Sequence, residues 1–211
     1  MLPRLSMLTA ADVLGLLATA LAAWFSVPQV VRLARTGNVA GVSAESLAAS
    51  LVSLTAWTLY GAAHGYAWVV ASSVVGVPST LAALLLALRY GAQLRPTIPV
   101  AWGAVLVTAT GAAVVVSPSL LDVVLGCSIL WYVGPAAVRA WSSTDVSGIA
   151  AASWLVLASE GSVFGLYGLV GGVAADRVYG LAAMTGSALV LGRLAVARSG
   201  RARDHRATQP A

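Results

Sequence analysis

The segment WFSVPQVVRLARTGNVAGVSAESLAASLVSLTAWTLYG, residues 24–61, returns in altered form at residues 131–168 as WYVGPAAVRAWSSTDVSGIAAASWLVLASEGSVFGLYG. A shift of about 107 positions superposes Trp24 on Trp131, Pro28 on Pro135, Arg32 on Arg139, Val39 on Val146, Gly41 on Gly148 and Ser46 on Ser153 without a gap. Leu59-Tyr60-Gly61 falls on Leu166-Tyr167-Gly168 in the same register. Ala, Leu, Val and Gly coincide by chance in so apolar a chain; Trp, Pro, Arg and Tyr in one register do not. The chain is therefore read as two copies of one unit.

Composition says where those copies reside. Of 211 residues, 59% are hydrophobic and 9% are charged, against about 25% charged in a soluble domain. A helix crosses about 30 Å of hydrocarbon with about 20 predominantly apolar residues. Breaks at Pro, Gly and Arg delimit seven such spans, at about 8–32, 44–63, 66–88, 98–116, 119–140, 148–171 and 175–197. Met1 to Ser6, with Arg4, looks superficially like a signal peptide, but the apolar stretch runs on past Trp24 and is read as the first span.

Each repeated unit then holds three helices, an odd number, and two such units fused directly would be inverted in the membrane. A single intervening helix restores parallel orientation. The predicted fold is an all-α integral membrane protein with seven transmembrane helices, two parallel three-helix repeats joined by a linker helix in a 3+1+3 layout. The first repeat covers about 8–90, the linker helix about 98–117, the second repeat about 119–197, and a basic tail, predicted to be disordered, about 198–211.

The formal net charge is +5 and every basic residue is Arg, dispersed singly or in pairs between apolar stretches. That dispersion argues against a nucleic-acid surface and for topology signals. Arg32, Arg35, Arg89, Arg95, Arg139, Arg193 and Arg198 follow odd-numbered spans, whereas Arg4 and Arg177 fall on the other side. The N-terminus is expected outside and the C-terminus in the cytoplasm. A chain rich in Ala, Val, Gly and Arg and devoid of Lys suggests a bacterial plasma membrane.

Several classes of chemistry are excluded by the same counts. Without Lys there is no amine for a retinal Schiff base. Cys127 is the single cysteine and His64 and His205 the only histidines, so no disulfide, metal cluster or hydrolytic constellation assembles. Neither catalytic residues nor a metal or cofactor is expected.

What remains are polar residues inside apolar spans. Ser46, Ser50, Ser53, Trp57 and Tyr60 recur at spacings of three and four, one face of the second span; Ser153, Glu160, Phe164 and Tyr167 form the matching face of the sixth. Such a stripe faces protein or water. It lines a pocket for a small amphipathic solute, or its small residues serve close helix packing. Glu160 lies mid-span, where a charge costs roughly 2.5–3.5 kcal/mol, and an acid there is a functional hypothesis by default. It is read as a proton site, as a counter-charge or hydrogen-bond acceptor for solute, or as a structural acid bonded to a neighbouring helix. Its partner in the repeat is Ser53. Pro28 and Pro135 each remove a backbone hydrogen bond and form either a pair of symmetric hinges or static kinks. Gln29 is placed to donate to the carbonyl that Pro28 frees. Asp12, Asp122, Tyr66, Asp176 and Arg177 gather at the outer ends, as a gate or as solvated interfacial groups.

With these residues in view, Val27-Pro28-Gln29, Arg32, Thr36-Gly37, Val39 to Ser43 and Trp57 to Gly61 resemble the PQ-loop repeat of the SWEET and SemiSWEET sugar transporters. The 3+1+3 layout resembles the fused, SWEET-like form. The second repeat has Pro135-Ala136 in place of Pro-Gln. The resemblance implies a carrier of a small polar solute, sugar first, working by alternating access. It implies a central pocket with an aromatic residue from the second helix and an Asn from the third helix of each repeat. Carried over by spacing, the aromatic positions are Trp57 and Phe164, and the Asn positions fall on Ser73 and Gly180. Substrate is thus expected at Ser53, Trp57, Ser73, Glu160, Phe164 and Gly180. Two alternatives stand beside the sugar carrier: a proton-coupled carrier of amino acids or cationic metabolites, and a non-transporting receptor or assembly factor. The partners expected are the solute, protons, the lipid bilayer and further copies of the chain in a homo-oligomer.

Overall fold

The computed structural model describes residues 9–117 and 119–207, and every regular element among them is a helix. Arg4 and the other residues before Thr9, and the last four of the tail, lie outside the described residues. Helix α1 (Ala10–Phe25) starts at a capping box: the Thr9 hydroxyl accepts from Asp12 N at 3.2 Å, and the Asp12 carboxylate accepts from Thr9 N at 3.0 Å. The helix stops at Ser26, two residues before Pro28. Pro28 has no N–H for the Trp24 carbonyl, and the Ser26 N–H takes that carbonyl instead. Helix α2 (Val27–Thr36) then carries the span on to Gly37, whose φ of 59° suits a glycine C-cap.

Helix α3 (Ala44–His64) is capped by Ser43, with Glu45 in its first turn, and ends at Gly65 with φ 73°. It is followed by α4 (Ala67–Arg89), α5 (Thr97–Val115), α6 (Ser119–Gly126), α7 (Ile129–Ser142), α8 (Ala151–Val170) and α9 (Ala174–Ala207). Six spans are long and apolar enough to cross a membrane, α1 with α2 and α6 with α7 each forming one of them; α5 is a shorter apolar helix.

Two sequence expectations change here. The first and fifth spans are both interrupted, but out of register. The fifth breaks at Cys127–Ser128, where the Ser128 N–H bonds back to Leu125 O and Ser128 Oγ accepts from Trp57; Pro135 lies inside the unbroken α7. The tail expected to be disordered from Ser199 instead continues α9 to Ala207, since its Arg- and Ala-rich sequence favours helix and meets no proline before Pro210.

In packing, α4 lies between α1 and α3, and α9 between α6–α7 and α8. Across the middle, α1 packs on α8 and α3 on α7, while α5 packs on α3 and α6. Many large apolar side chains point outward: Val107 is 76% exposed, Leu181 71% and Leu59 67%. The interior is rich in Ala, Gly, Ser and aromatic rings, with Leu33, Leu125, Ile129 and Leu157 buried among them. That is the distribution expected where lipid covers the outside and small residues bring helices together. Helices α8 and α9 meet backbone to backbone, where a methyl group added at Gly180 would lie 2.7 Å from the Cα and N of Gly165.

Candidate functional site

A cavity of about 40 Å³ lies at the centre, with walls from α3, α4, α7, α8 and α9. Ser50, Ser53 and Trp57 stand on α3, at spacings that put them on one face, and Ser72 and Ser73 on α4. Opposite them are Glu160 and Phe164 of α8 and Asp176 and Tyr179 of α9, with Tyr132 of α7 closing one end. At about 10–15 Å³ per water, the space holds a few water molecules.

The rings are held in place from behind. Trp57 Nε1 donates to Ser128 Oγ at 3.0 Å, and Trp102 Nε1, wholly buried, donates to Ser53 Oγ at 2.8 Å. Trp102 also stacks on Trp131, which ties α5 to the wall. Tyr179 sits edge-on to both Trp57 and Phe164, with ring centroids 5.7 Å apart in each pair, and its hydroxyl accepts from Tyr132 OH at 2.9 Å. These contacts fix three aromatic faces around the cavity.

Five of the six residues expected to line a pocket do so: Ser53, Trp57, Ser73, Glu160 and Phe164. Gly180 does not. It faces the Gly161 carbonyl and Gly165 backbone of α8, as a residue whose missing side chain permits helix contact. Its neighbours Asp176 and Tyr179 enter the cavity instead. Sequence reasoning put Asp176 at the outer loop because hydropathy opens the last span beside it. The usable signal was the helical spacing of Asp176, Tyr179, Ala183 and Ser187, all buried on one face of α9.

Charge is the distinctive feature of this cavity. Asp176 is 2% exposed and Glu160 6% exposed, and no described residue hydrogen-bonds to either carboxylate; Asp176 Oδ2 is fully enclosed. Arg177, next in sequence, is exposed. In the repeat register the two acids correspond to Ser53 and Val69, which line the opposite wall. One wall is acidic and the other carries hydroxyls.

The other interfacial acids have partners. Asp122 accepts from Tyr60 OH at 2.6 Å, a bond from α6 to α3, and Asp12 accepts from Trp68 Nε1 at 3.0 Å. Tyr60 further contacts the rings of His64 and Tyr66. Of the proposed outer group, Asp176 belongs to the cavity and Arg177 turns outward.

At the arginine-rich end, Gln29 reaches across the molecule rather than to its own helix. Its Nε2 donates to Gly148 O at 3.1 Å and its Oε1 accepts from Ala150 N at 2.9 Å. Arg32 donates to Ser147 O, Asn38 Nδ2 donates to Ser147 Oγ at 2.9 Å, and Gly148 N to Ala40 O at 3.1 Å. The carbonyl that Gln29 was expected to satisfy is already taken by Ser26. Gln29→Ala leaves a buried carbonyl and a buried N–H unpaired, and should cost about 1–3 kcal/mol. The check is the unfolding midpoint in detergent; an unchanged midpoint would show the clamp to be dispensable.

Residues 10–70 match the family of the PQ loop repeat, a stretch running from the start of α1 into α4. No curated protein matches the chain. Residues 10–70 thus carry a match to the PQ loop repeat, and six spans among the described residues are long and apolar enough to cross a membrane.

Proposed function

From that repeat and the cavity behind it, we propose that the protein is a carrier that moves a small, positively charged polar solute across the membrane by alternating access. The observation that bears this reading is the pair Glu160 and Asp176, enclosed together and without partners beside the faces of Trp57, Phe164 and Tyr179. Acids in a membrane interior are costly and need a cation or a proton. A solute ammonium group supplies the cation, and aromatic faces add attraction to it.

The sugar reading has less support. The hydroxyls of Ser72 and Ser73 both donate to Val69 O and that of Ser53 to Ala49 O, so of the serine wall only Ser50 keeps a hydroxyl proton to offer a sugar. A second reading is favoured because no cationic side chain among the described residues bonds to either acid: a proton resides on one of them and travels with the solute.

The 3+1+3 arrangement is supported by matched packing. The third helix of each unit lies between the other two, and contacts of α1 with α8 and α3 with α7 are the reciprocal pair a two-fold axis along the membrane normal would generate. In this arrangement α5 is the linker, Pro28 and Pro135 lie near the moving ends as hinges, and the arginine-rich end faces the cytoplasm from the plasma membrane. One chain encloses the cavity, so a homo-oligomer would add no wall to it.

Uptake into proteoliposomes tests the reading, with a panel of sugars, polyols, neutral amino acids and cationic amines, with and without a pH gradient. Uptake of a cationic solute well above that of uncharged analogues is expected. Flux confined to sugars would restore the first expectation, and no flux for any class would favour a receptor or assembly factor.

A further inference from the structure

Three cavities lead from the centre to the arginine-rich end, and neighbouring ones share lining residues. The central one ends at Tyr132. The same Tyr132 lines a second chamber of about 60 Å³, together with Phe25, Gln29, Ser46, Ala136 and Ser153. Val42 and Ser43 line both that chamber and an outer vestibule of about 530 Å³, which Glu45, Arg95 and Arg139 make polar.

Tyr132 is 6% exposed, and its hydroxyl is tied to Tyr179, a wall of the central cavity. In the repeat register its counterpart is Phe25, which also lines the chamber and has no hydroxyl to tie. Beyond it, Ser153 Oγ is buried with no partner among the described residues, a polar group left for a passing solute or water.

The two sides of this end are unequal. On one, Gln29 clamps Gly148 and Ala150, Arg32 holds Ser147, and the vestibule is about 150 Å³. On the other, the equivalent of Gln29 is Ala136, which cannot clamp the Gly41–Ser43 backbone, and the vestibule is about 530 Å³. We infer that the solute path to the arginine-rich end runs through the side that lacks the glutamine clamp, where Ser46 Oγ donating to Tyr132 O joins α3 to α7, with the Tyr132 ring as its shutter and the bond to Tyr179 as the contact that breaks on opening. This rests on the carrier reading for its purpose, but the path is a property that can be probed without transport.

Thiol accessibility tests it. In a Cys127→Ala background, Ser73→Cys marks the central cavity and Ser153→Cys the chamber, and a membrane-impermeant methanethiosulfonate is applied at the arginine-rich face. Ser153→Cys should react several-fold faster than Ser73→Cys. Tyr132→Phe and Tyr179→Phe each remove one hydroxyl of the same bond, and each should speed Ser73→Cys labelling about fivefold, the effect of one lost hydrogen bond, with Ser153→Cys within twofold. Ala136→Gln, which restores the second clamp, should slow Ser153→Cys labelling by a similar factor. Unchanged Ser73→Cys labelling in either tyrosine variant, or unchanged Ser153→Cys labelling with Ala136→Gln, would overturn the path as drawn. Uptake measured with the Cys127→Ala parent, which keeps both serines, separates the two ideas: flux with unmoved labelling in the cysteine variants sinks the shutter alone, and the labelling pattern without flux in the parent sinks the carrier reading alone.

Discussion

Uptake of a cationic solute is expected to fall roughly 10–100-fold in Asp176→Asn and in Glu160→Gln, because a hydrogen bond to a charged group is worth about 1.5–3 kcal/mol and 1.4 kcal/mol is a factor of ten. Both carboxylates are buried and line one cavity of about 40 Å³, so losing either removes one of the two acidic groups a bound cation would meet. Both substitutions keep size and shape while removing charge. Arg177→Gln, on an exposed neighbour of Asp176, is the control and should leave uptake within twofold of the parent. The same variants divide proton carrying from simple pairing with solute. If Glu160 carries the proton, Glu160→Gln loses uptake driven by a pH gradient but keeps solute exchange; if it only pairs with solute, both fall together. Wild-type uptake in both acid variants would remove the carboxylates from the mechanism.

Gly180→Leu should be the most damaging single change to the fold. A side chain there starts 2.7 Å from the Gly165 backbone and against the Gly161 carbonyl, and backbone on the facing helix cannot step aside as a flexible side chain can. Overpacking in a tight interior costs about 1–3 kcal/mol when side chains can adjust; here helices must separate, and a loss of at least about 3 kcal/mol is expected. Gly103→Leu on α5, where nothing lies within 4 Å, should be neutral. The readout is the unfolding midpoint and the monodisperse fraction in detergent. Equal midpoints for the two variants would mean that α8 and α9 do not meet as described. Gly180→Asn, which would recreate the asparagine implied by the family resemblance, should fail for the same steric reason.

Much of the site was readable along the chain because helical periodicity decides which residues share a face. Ser50, Ser53 and Trp57 on α3, and Glu160 and Phe164 on α8, follow spacings of three and four, and all five line the cavity. The family resemblance, carried over by spacing, added Ser73 on α4. The same reasoning failed at Gly180 because a register copied from a family names a position, whereas the rotation of α9 against α8 decides which side of the helix enters the pocket. Asp176 was missed because hydropathy averages over a window and cannot tell an acid in a solvated loop from one in the first turn of a buried helix. Tyr132 was missed because it lies outside the polar stripes that periodicity marks on the second and sixth spans, and only the packing of α7 on α9 brings its hydroxyl to Tyr179.

The sequence by itself determined the membrane class, through a charged fraction too low for a water-facing surface, and the internal repeat, through Trp, Pro, Arg and Tyr in one register. Those are properties of composition and order, and no folding changes them. Tertiary structure alone decided that two acids from different helices share one unpartnered cavity, that Gln29 clamps the opposite half rather than its own helix, and that its missing counterpart at Ala136 leaves one side without that clamp. Each of these depends on helix rotation and on contacts between residues more than a hundred positions apart or on separate helices, which side-chain packing settles and local pattern does not.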